Sequence, residues 1–212
     1  KRENLSLAVE LIRGDKARVE RLKELLEGVG GRVLIYATTR KRVKAISMAL
    51  KRSKFSVGYY HGGRTVGARI KAHQDFLSNK RNILVATSAF GMGVDLPDIR
   101  LVAHLEAPSS LESLYQQLGR AGRDGKDSLS VLLYSNEKRL DADELLNPIT
   151  PPEKVNLAVK SKERNDVLNA LYFHSGSFKG IEHELNDFKL ISNVLRLKTK
   201  NRNLEVPILK IK

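Results

Sequence analysis

The chain has 212 residues, of which 41% are hydrophobic and 29% charged, a balance that fits a folded globular protein and excludes an extended disordered one. With no cysteine it can form neither disulfides nor thiolate zinc sites, and the histidines at 61, 73, 104, 174 and 183 lack a metal-ligand spacing such as HExxH, so no bound metal, zinc included, is expected. The formal net charge of +14 points to an anionic partner.

The distribution of that charge is more telling than its size. Between Glu27 and Asp75 no acidic residue occurs, while lysine or arginine recurs at 32, 40, 41, 42, 44, 51, 52, 54, 64, 69 and 71. Nucleic acid is the favoured partner, against the plainer alternative of a solvated face balanced by acids elsewhere in space. No run approaches the roughly 20 apolar residues of a membrane-spanning helix, and the first residues, Lys1-Arg2-Glu3-Asn4, have no apolar leader core. No membrane partner is expected, and the expected location is cytoplasmic, nucleoid-associated in a bacterium.

In chain order, Leu5 to Val9 reads as a short strand, followed by a helix on which Val19, Leu22, Leu25, Leu26 and Val29 recur at helical spacing. Val33 to Tyr36 is a compact apolar run suited to a strand buried on both faces, and it leads into a helix with Val43, Ile46, Ala49 and Leu50 on one side. A strand over Ser56 to Tyr60 follows, then the loop His61-Gly62-Gly63-Arg64 and a helix aligning Val66, Ile70, His73 and Leu77. Asn82 to Ala86 and Arg100 to Leu105 read as strands on either side of a glycine-rich loop; a helix near Ser110 to Leu118 and a strand over Ser128 to Tyr134 complete the series. Strands separated by helices of this length pair in parallel through crossovers, with helices on both faces. The expected fold is therefore a doubly wound, mostly parallel α/β domain over residues 1–146.

Three prolines, Pro148, Pro151 and Pro152, fall where no helix interior or inner strand tolerates them. They place a linker at 147–152. Beyond it, residues 153–212 read as a small region of two or three helices, around Asn165 to Tyr172 and Phe178 to Leu185, with a hairpin about Lys200-Asn201-Arg202-Asn203. That order is that of a winged-helix module.

The strongest chemical signal is Gln116-Gln117-Leu118-Gly119-Arg120-Ala121-Gly122-Arg123-Asp124-Gly125. Glycines around Arg120 and Arg123 make poor helix but let the backbone approach a neighbour and project two guanidiniums, which stay charged and suit phosphate oxygens. A solvated glycine-rich turn is the alternative. A second glycine-rich stretch, Ala86-Thr87-Ser88-Ala89-Phe90-Gly91-Met92-Gly93-Val94-Asp95, offers the hydroxyls of Thr87 and Ser88 to a nucleic-acid backbone and leaves the amides at Gly91 and Gly93 open to phosphate. Thr38, Thr39 and Arg40 end another strand: Arg40 suits phosphate contact, whereas Thr39 serves equally as a helix cap.

The arginine segment resembles motif VI of superfamily two helicases, in the form found in RecQ proteins. Tyr36 to Arg40 is similar to motif IV, Ala86 to Arg100 to the RecQ motif V, and Arg2-Glu3-Asn4-Leu5 to the segment that opens the second lobe in that family. Tyr60-His61-Gly62-Gly63-Arg64 stands where those proteins carry Tyr-His-Ala-Gly-Leu, with Arg64 replacing an apolar residue. The resemblance spans residues 1 to about 140. It implies a RecA-like C-terminal motor lobe of an ATP-dependent DNA helicase, probing single strand and duplex junction and moving 3′ to 5′. Arg123 would be the finger toward ATP, with Arg120 and Gln116 beside it, and Arg120 would hold the same nucleotide or tie the motif to Gln116 and Asp95. Gly93 and Asp95 would couple the nucleic-acid groove to the nucleotide, and His61 and Arg64 would join Thr38, Thr39, Arg40, Thr87 and Ser88 along the strand.

Neither a GxxxxGK[ST] loop nor an Asp-Glu-x-His stretch occurs in the sequence, so ATP with Mg2+ is expected to be held mainly by an N-terminal lobe outside it, leaving this chain inactive alone. Two rival readings remain open: an RNA helicase or translocase lobe, and a non-catalytic basic nucleic-acid-binding module.

Overall fold

The structure, a computed structural model, describes residues 2–91, 95–108, 111–134 and 149–159. Strands β1 (Leu5–Leu11), β2 (Arg32–Tyr36), β3 (Val57–Tyr60), β4 (Ile83–Ala86), β5 (Ile99–His104) and β6 (Ser128–Tyr134) form one sheet in the order β1-β6-β5-β2-β4-β3, and every pairing is parallel. Helices α1 (Asp15–Glu27), α2 (Arg40–Arg52), α3 (Val66–Leu77) and α4 (Leu111–Leu118) connect them. This is the expected doubly wound α/β domain.

The strand pattern explains the two layers of core. In β2, Val33 and Ile35 face one side with Val85, Leu101, Ala103 and Val131, covered by Leu22 and Leu26 of α1 and Val43, Ile46 and Leu50 of α2. The alternate residues Leu34 and Tyr36 face the other side with Leu84, Ala86 and Val102, covered by Phe76, Phe90, Leu96 and Ala121. Central strands are thus apolar on both faces, as a parallel sheet sandwiched between helices requires.

The aligned residues of α3 divide between solvent and core: Val66 is 62%, Ile70 50% and Leu77 41% exposed, His73 meets Phe90 edge-on at 5.7 Å between ring centroids, and the buried positions are Ala72 and Phe76. Phe76 takes the inward position because it meets Phe90 edge-on at 6.0 Å between ring centroids, a contact that helical spacing alone does not reveal. A second difference lies at the proline-rich segment, where a helix α5 (Pro152–Val159) begins on the last residue of the expected linker. Proline suits the first turn, where its missing N–H has no partner to lose. The helices and hairpin expected beyond 160 lie outside the described residues, as do residues 135–148. Among the described residues no helix is long and apolar enough to cross a membrane.

Two features set the positions of the functional loops. β1 pairs with β6, its partner from the far end of the domain, in the register Leu5 to Ser128. Residues 2–4 are thereby laid beneath the loop that precedes β6. At the carboxyl ends of β2 and β5, Glu106 is buried and accepts from Arg42 Nε at 2.6 Å and from the Thr38 amide at 2.7 Å, which ties the entry of α2 to the exit of β5.

Candidate functional site

Helix α4 tightens at its end through amide bonds from Gly119 to the Tyr115 carbonyl (3.0 Å), Arg120 to Gln117 (3.2 Å) and Ala121 to Leu118 (3.2 Å). The chain then turns at Gly122, whose φ is +57° and where a Cβ would lie 2.2 Å from Ser128 Oγ; only glycine fits. The Gly122 amide donates to the Ile99 carbonyl at 2.8 Å and the Asp124 amide to that of Pro97 at 3.2 Å. The loop is therefore fastened to the start of β5, and its two arginines leave from a fixed backbone.

Their surroundings differ. Arg120 is partly buried against Gly91, where φ is +135° and a Cβ would fall 2.6 Å from the guanidinium carbon. The missing side chain of Gly91 makes room for this arginine. Arg120 also neighbours the Tyr36 hydroxyl, which donates to the Phe90 carbonyl at 3.2 Å; burial pushes the Tyr36 phenol up to about 12, and the nearby Arg120 charge pulls in the opposite direction. Arg123 is exposed and pairs with the exposed Asp95 at 2.6 Å. Asp95 thus meets Arg123 rather than Arg120. Gln116 is exposed and donates to Glu112 along its own helix at 3.1 Å, so it ties to neither arginine here. Gly93 lies outside the described residues.

The structure gathers the motif IV end of β2 and the turn after β3 into one basic cluster. Arg40 lies across Gly63, where a Cβ would stand 2.7 Å from its Nη1. His61 is held below its ordinary pKa by burial first, then by the charges of Arg64, Arg40 and Lys44. Arg64 stacks its guanidinium 4.0 Å over the Tyr59 ring and donates to the Tyr59 carbonyl. Thr39 caps α2, its hydroxyl accepting from the Arg42 amide at 3.2 Å. Thr38 gives both its amide and its hydroxyl to Glu106. Arg40 and Lys44 are the exposed cations of this group, and the two threonines are engaged internally.

After β4, the Thr87 amide donates to the Tyr60 carbonyl at 3.2 Å and the Phe90 amide to that of Thr87 at 3.0 Å, while Ser88 is exposed. Ser88 lines a cavity of about 120 Å³ together with Tyr36, Thr38, His104, Glu106 and Gln117. His104 is 1% exposed and its Nε2 donates to Gln117 Oε1 at 2.8 Å. Among the described residues no group of three carboxylates, histidines or cysteines could hold a metal ion.

Sequence reasoning missed three contributors: the His104–Gln117 bond, the Glu106 anchor, and the reach of Arg2 and Asn4 to the arginine loop. For the last there was a signal, the resemblance at Arg2-Glu3-Asn4-Leu5, though without a role. Arg2 donates to the carbonyls of Gly119 (3.0 Å), Ala121 (2.6 Å) and Gly122, and Asn4 to those of Gly122 (2.7 Å) and Lys126 (2.9 Å).

Arginines on a fixed loop beside a glycine turn, on a sheet of this order, define a helicase C-terminal lobe, and residues 17–125 match the family described as "Helicase conserved C-terminal domain". The chain belongs to that family. Within it the relatives include RecQ-type proteins. It is 41% identical over 133 residues, 62% of this chain, to the Bacillus subtilis protein described as "Probable ATP-dependent DNA helicase RecS", and 46% identical over 102 residues, 48% of this chain, to "ATP-dependent DNA helicase RecQ" of the same organism. The chain spans 27% and 17% of those proteins' lengths. Among solved structures, the RNA-helicase Prp28 from Chaetomium thermophilum bound to ADP superposes with a TM-score of 0.58 at 27% identity, covering 68% of this chain and 35% of that one.

Proposed function

We propose that this chain is the second motor lobe of an ATP-dependent, RecQ-like DNA helicase, and that Arg123 is the side chain it offers to the γ-phosphate of ATP held by a first lobe. The observation that carries this reading is the contrast between the two arginines. Arg123 is exposed and held at 2.6 Å by a carboxylate more exposed still, an ion pair worth at most about 1 kcal/mol in water, so a phosphate can replace Asp95 at small cost. Arg120 sits against Gly91 and Tyr36 and braces the same loop.

ATP and its magnesium ion supply the phosphoryl group and most of the charge compensation, and the donors here fit the anionic end of that nucleotide. A guanidinium placed at the γ-phosphate stabilises charge developing in the transition state, with effects of about 10³ to 10⁵ on rate. The sequence has no phosphate-binding loop of its own, so the lobe alone should not hydrolyse ATP. Arg40 and Ser88 are the exposed contacts for the nucleic-acid backbone, with His61 and Arg64 flanking Arg40. The turn from Thr87 to Gly91 runs from that surface to the seat of Arg120, which gives strand binding a direct connection to the nucleotide side. We assign movement 3′ to 5′ along DNA on the likeness to RecQ-type relatives.

In the full-length protein, Arg123→Ala should abolish DNA-stimulated ATP hydrolysis and leave single-strand affinity intact; retained hydrolysis would refute the finger assignment. Unwinding of 3′-tailed and 5′-tailed DNA duplexes, beside the matching RNA duplexes, tests polarity and substrate together. A preference for RNA would favour the second reading, which the Prp28 likeness supports.

A further inference from the structure

We propose that Arg2 and Asn4 are positioning residues for the arginine pair: they set the angle at which Arg123 leaves its loop. The inference rests on the finger assignment above and concerns residues that never touch the nucleotide. It follows from where the loop's backbone hydrogen bonds go.

A loop that ends a helix and turns sharply leaves several carbonyls without helical partners, and such groups need satisfying when they are shielded from water. On the amide side, Gly122 and Asp124 donate to the carbonyls of Ile99 and Pro97. On the carbonyl side the partners come from the arm before β1. The Arg2 guanidinium spans the oxygens of Gly119, Ala121 and Gly122, and the Asn4 amide bridges those of Gly122 and Lys126. The arm is itself fixed, because the Ser128 amide donates to the Asn4 carbonyl at 2.9 Å where β1 and β6 begin to pair, and Leu5 packs on the core beside Ala121.

The carbonyls of Gly119, Ala121 and Gly122 bracket Arg120 and directly precede Arg123. A fork that holds all three at once fixes the backbone from which both side chains project. Lysine carries the same charge but only a point donor on a flexible stem, so it cannot span three oxygens. Because the donors of Arg2 are committed to carbonyls, its part is orientation rather than phosphate contact. Orientation and contact have different kinetic signatures. Loss of a ground-state contact raises KM, whereas misalignment of a group that acts in the transition state lowers kcat.

The test uses the full-length protein with ATP and a saturating single-stranded oligonucleotide, comparing Arg2→Ala, Arg2→Lys, Asn4→Ala and Arg123→Ala. Misplacing a catalytic group by about 1 Å costs up to about 10²-fold, so Arg2→Ala should lower kcat on the order of ten- to a hundred-fold, with the KM for ATP and DNA affinity changed by less than about two-fold. Arg2→Lys should fall between Arg2→Ala and the wild type. Hydrogen exchange at residues 119–125 should quicken in Arg2→Ala while β2 and β5 stay protected. If Arg2→Ala fails to fold, Asn4→Ala carries the same readouts with a smaller loss. Wild-type kcat, unchanged exchange in the loop, or a raised KM with unchanged kcat each overturns the inference. Arg123→Ala keeps the two claims apart: its full activity overturns the finger reading and this inference with it, whereas an inactive Arg123→Ala beside a fully active Arg2→Ala overturns this inference alone.

Discussion

His104 makes the stability of this domain depend on pH in a way that can be worked through. The ring lies at the end of β5, 1% exposed, stacked on Tyr36 with 5.3 Å between centroids and bonded to Gln117 at 2.8 Å. Burial pushes its pKa down to about 4, against about 6.5 in an unfolded chain. Between those values the unfolded state takes up a proton that the folded state refuses. Stability is therefore whole at neutral pH and is lost as pH falls through 6.5 toward 4. The gap of about 2.5 pH units, at about 1.4 kcal/mol each, amounts to roughly 3 kcal/mol in full and about 2.5 kcal/mol by pH 4.5. Glu10, Asp15 and Asp124, held below their ordinary values by arginine partners, and His61 also lose stability in acid. His104→Gln removes one titration and leaves the others in place, so their contributions cancel in the difference. Urea unfolding at pH 7.5 and 4.5 should show the wild type losing about 2.5 kcal/mol more than the variant. Equal losses in the two proteins would refute the reasoning.

Three further outcomes are expected. Gly122→Ala should cost at least about 2 kcal/mol, since a left-handed backbone penalises any side chain by roughly 1–2 kcal/mol and the new Cβ would meet Ser128 Oγ at 2.2 Å; Gly62→Ala, with open space around it, should stay within about 0.5 kcal/mol, and urea unfolding measures both. Thr39→Ala should cost about 1 kcal/mol by uncapping α2, and fluorescence anisotropy with single-stranded DNA should show unchanged affinity if capping is its whole role. Arg40→Gln should weaken single-strand binding across all sequences and reduce the slope of log affinity against log salt by about 0.7, measured by anisotropy over a salt series.

The alternation of strands and helices is legible because each central strand is a short apolar run with nowhere to go but between two helical layers. Val33 to Tyr36 reads that way without any structure, and Asn82 to Ala86 reads as a strand. The face of α3 is not legible for an equally physical reason. Its exposed side carries Val66, Ile70 and Leu77, a stripe as regular as any core stripe, while its packed side rests on one large residue, Phe76, and one small one, Ala72. Periodicity counts apolar positions and cannot see Phe90, which meets Phe76 on the same face of the sheet. The same limit divides the site. Glycines and arginines at motif spacing reveal the loop, but the partner of each arginine depends on pairings between distant segments. Asp95 reaches Arg123 from 28 positions away, and Arg2 reaches Gly119 from 117. The first contact depends on β5 lying beside β6 and the second on β1 pairing with β6, and nothing local in any of these strands encodes that choice.

Two arginines three residues apart would be equivalent in a flexible turn, and the fold makes them unequal. Arg120 occupies space that Gly91 leaves open beneath a buried tyrosine, so withdrawing it would expose a gap between two loops and strand polar atoms already shielded from water. Arg123 faces solvent opposite an exposed carboxylate, and exchanging that partner for a phosphate costs no more than about 1 kcal/mol. On the function proposed above, the motif's second arginine is the one a nucleotide would re-aim, while the first would hold the turn steady. Gly122 and the arm from Arg2 to Asn4 complete the division by fixing the backbone between them. An arginine whose backbone is fixed and whose side chain is weakly held can meet a developing charge without paying for reorganisation at that moment, which is the condition under which electrostatic stabilisation contributes most.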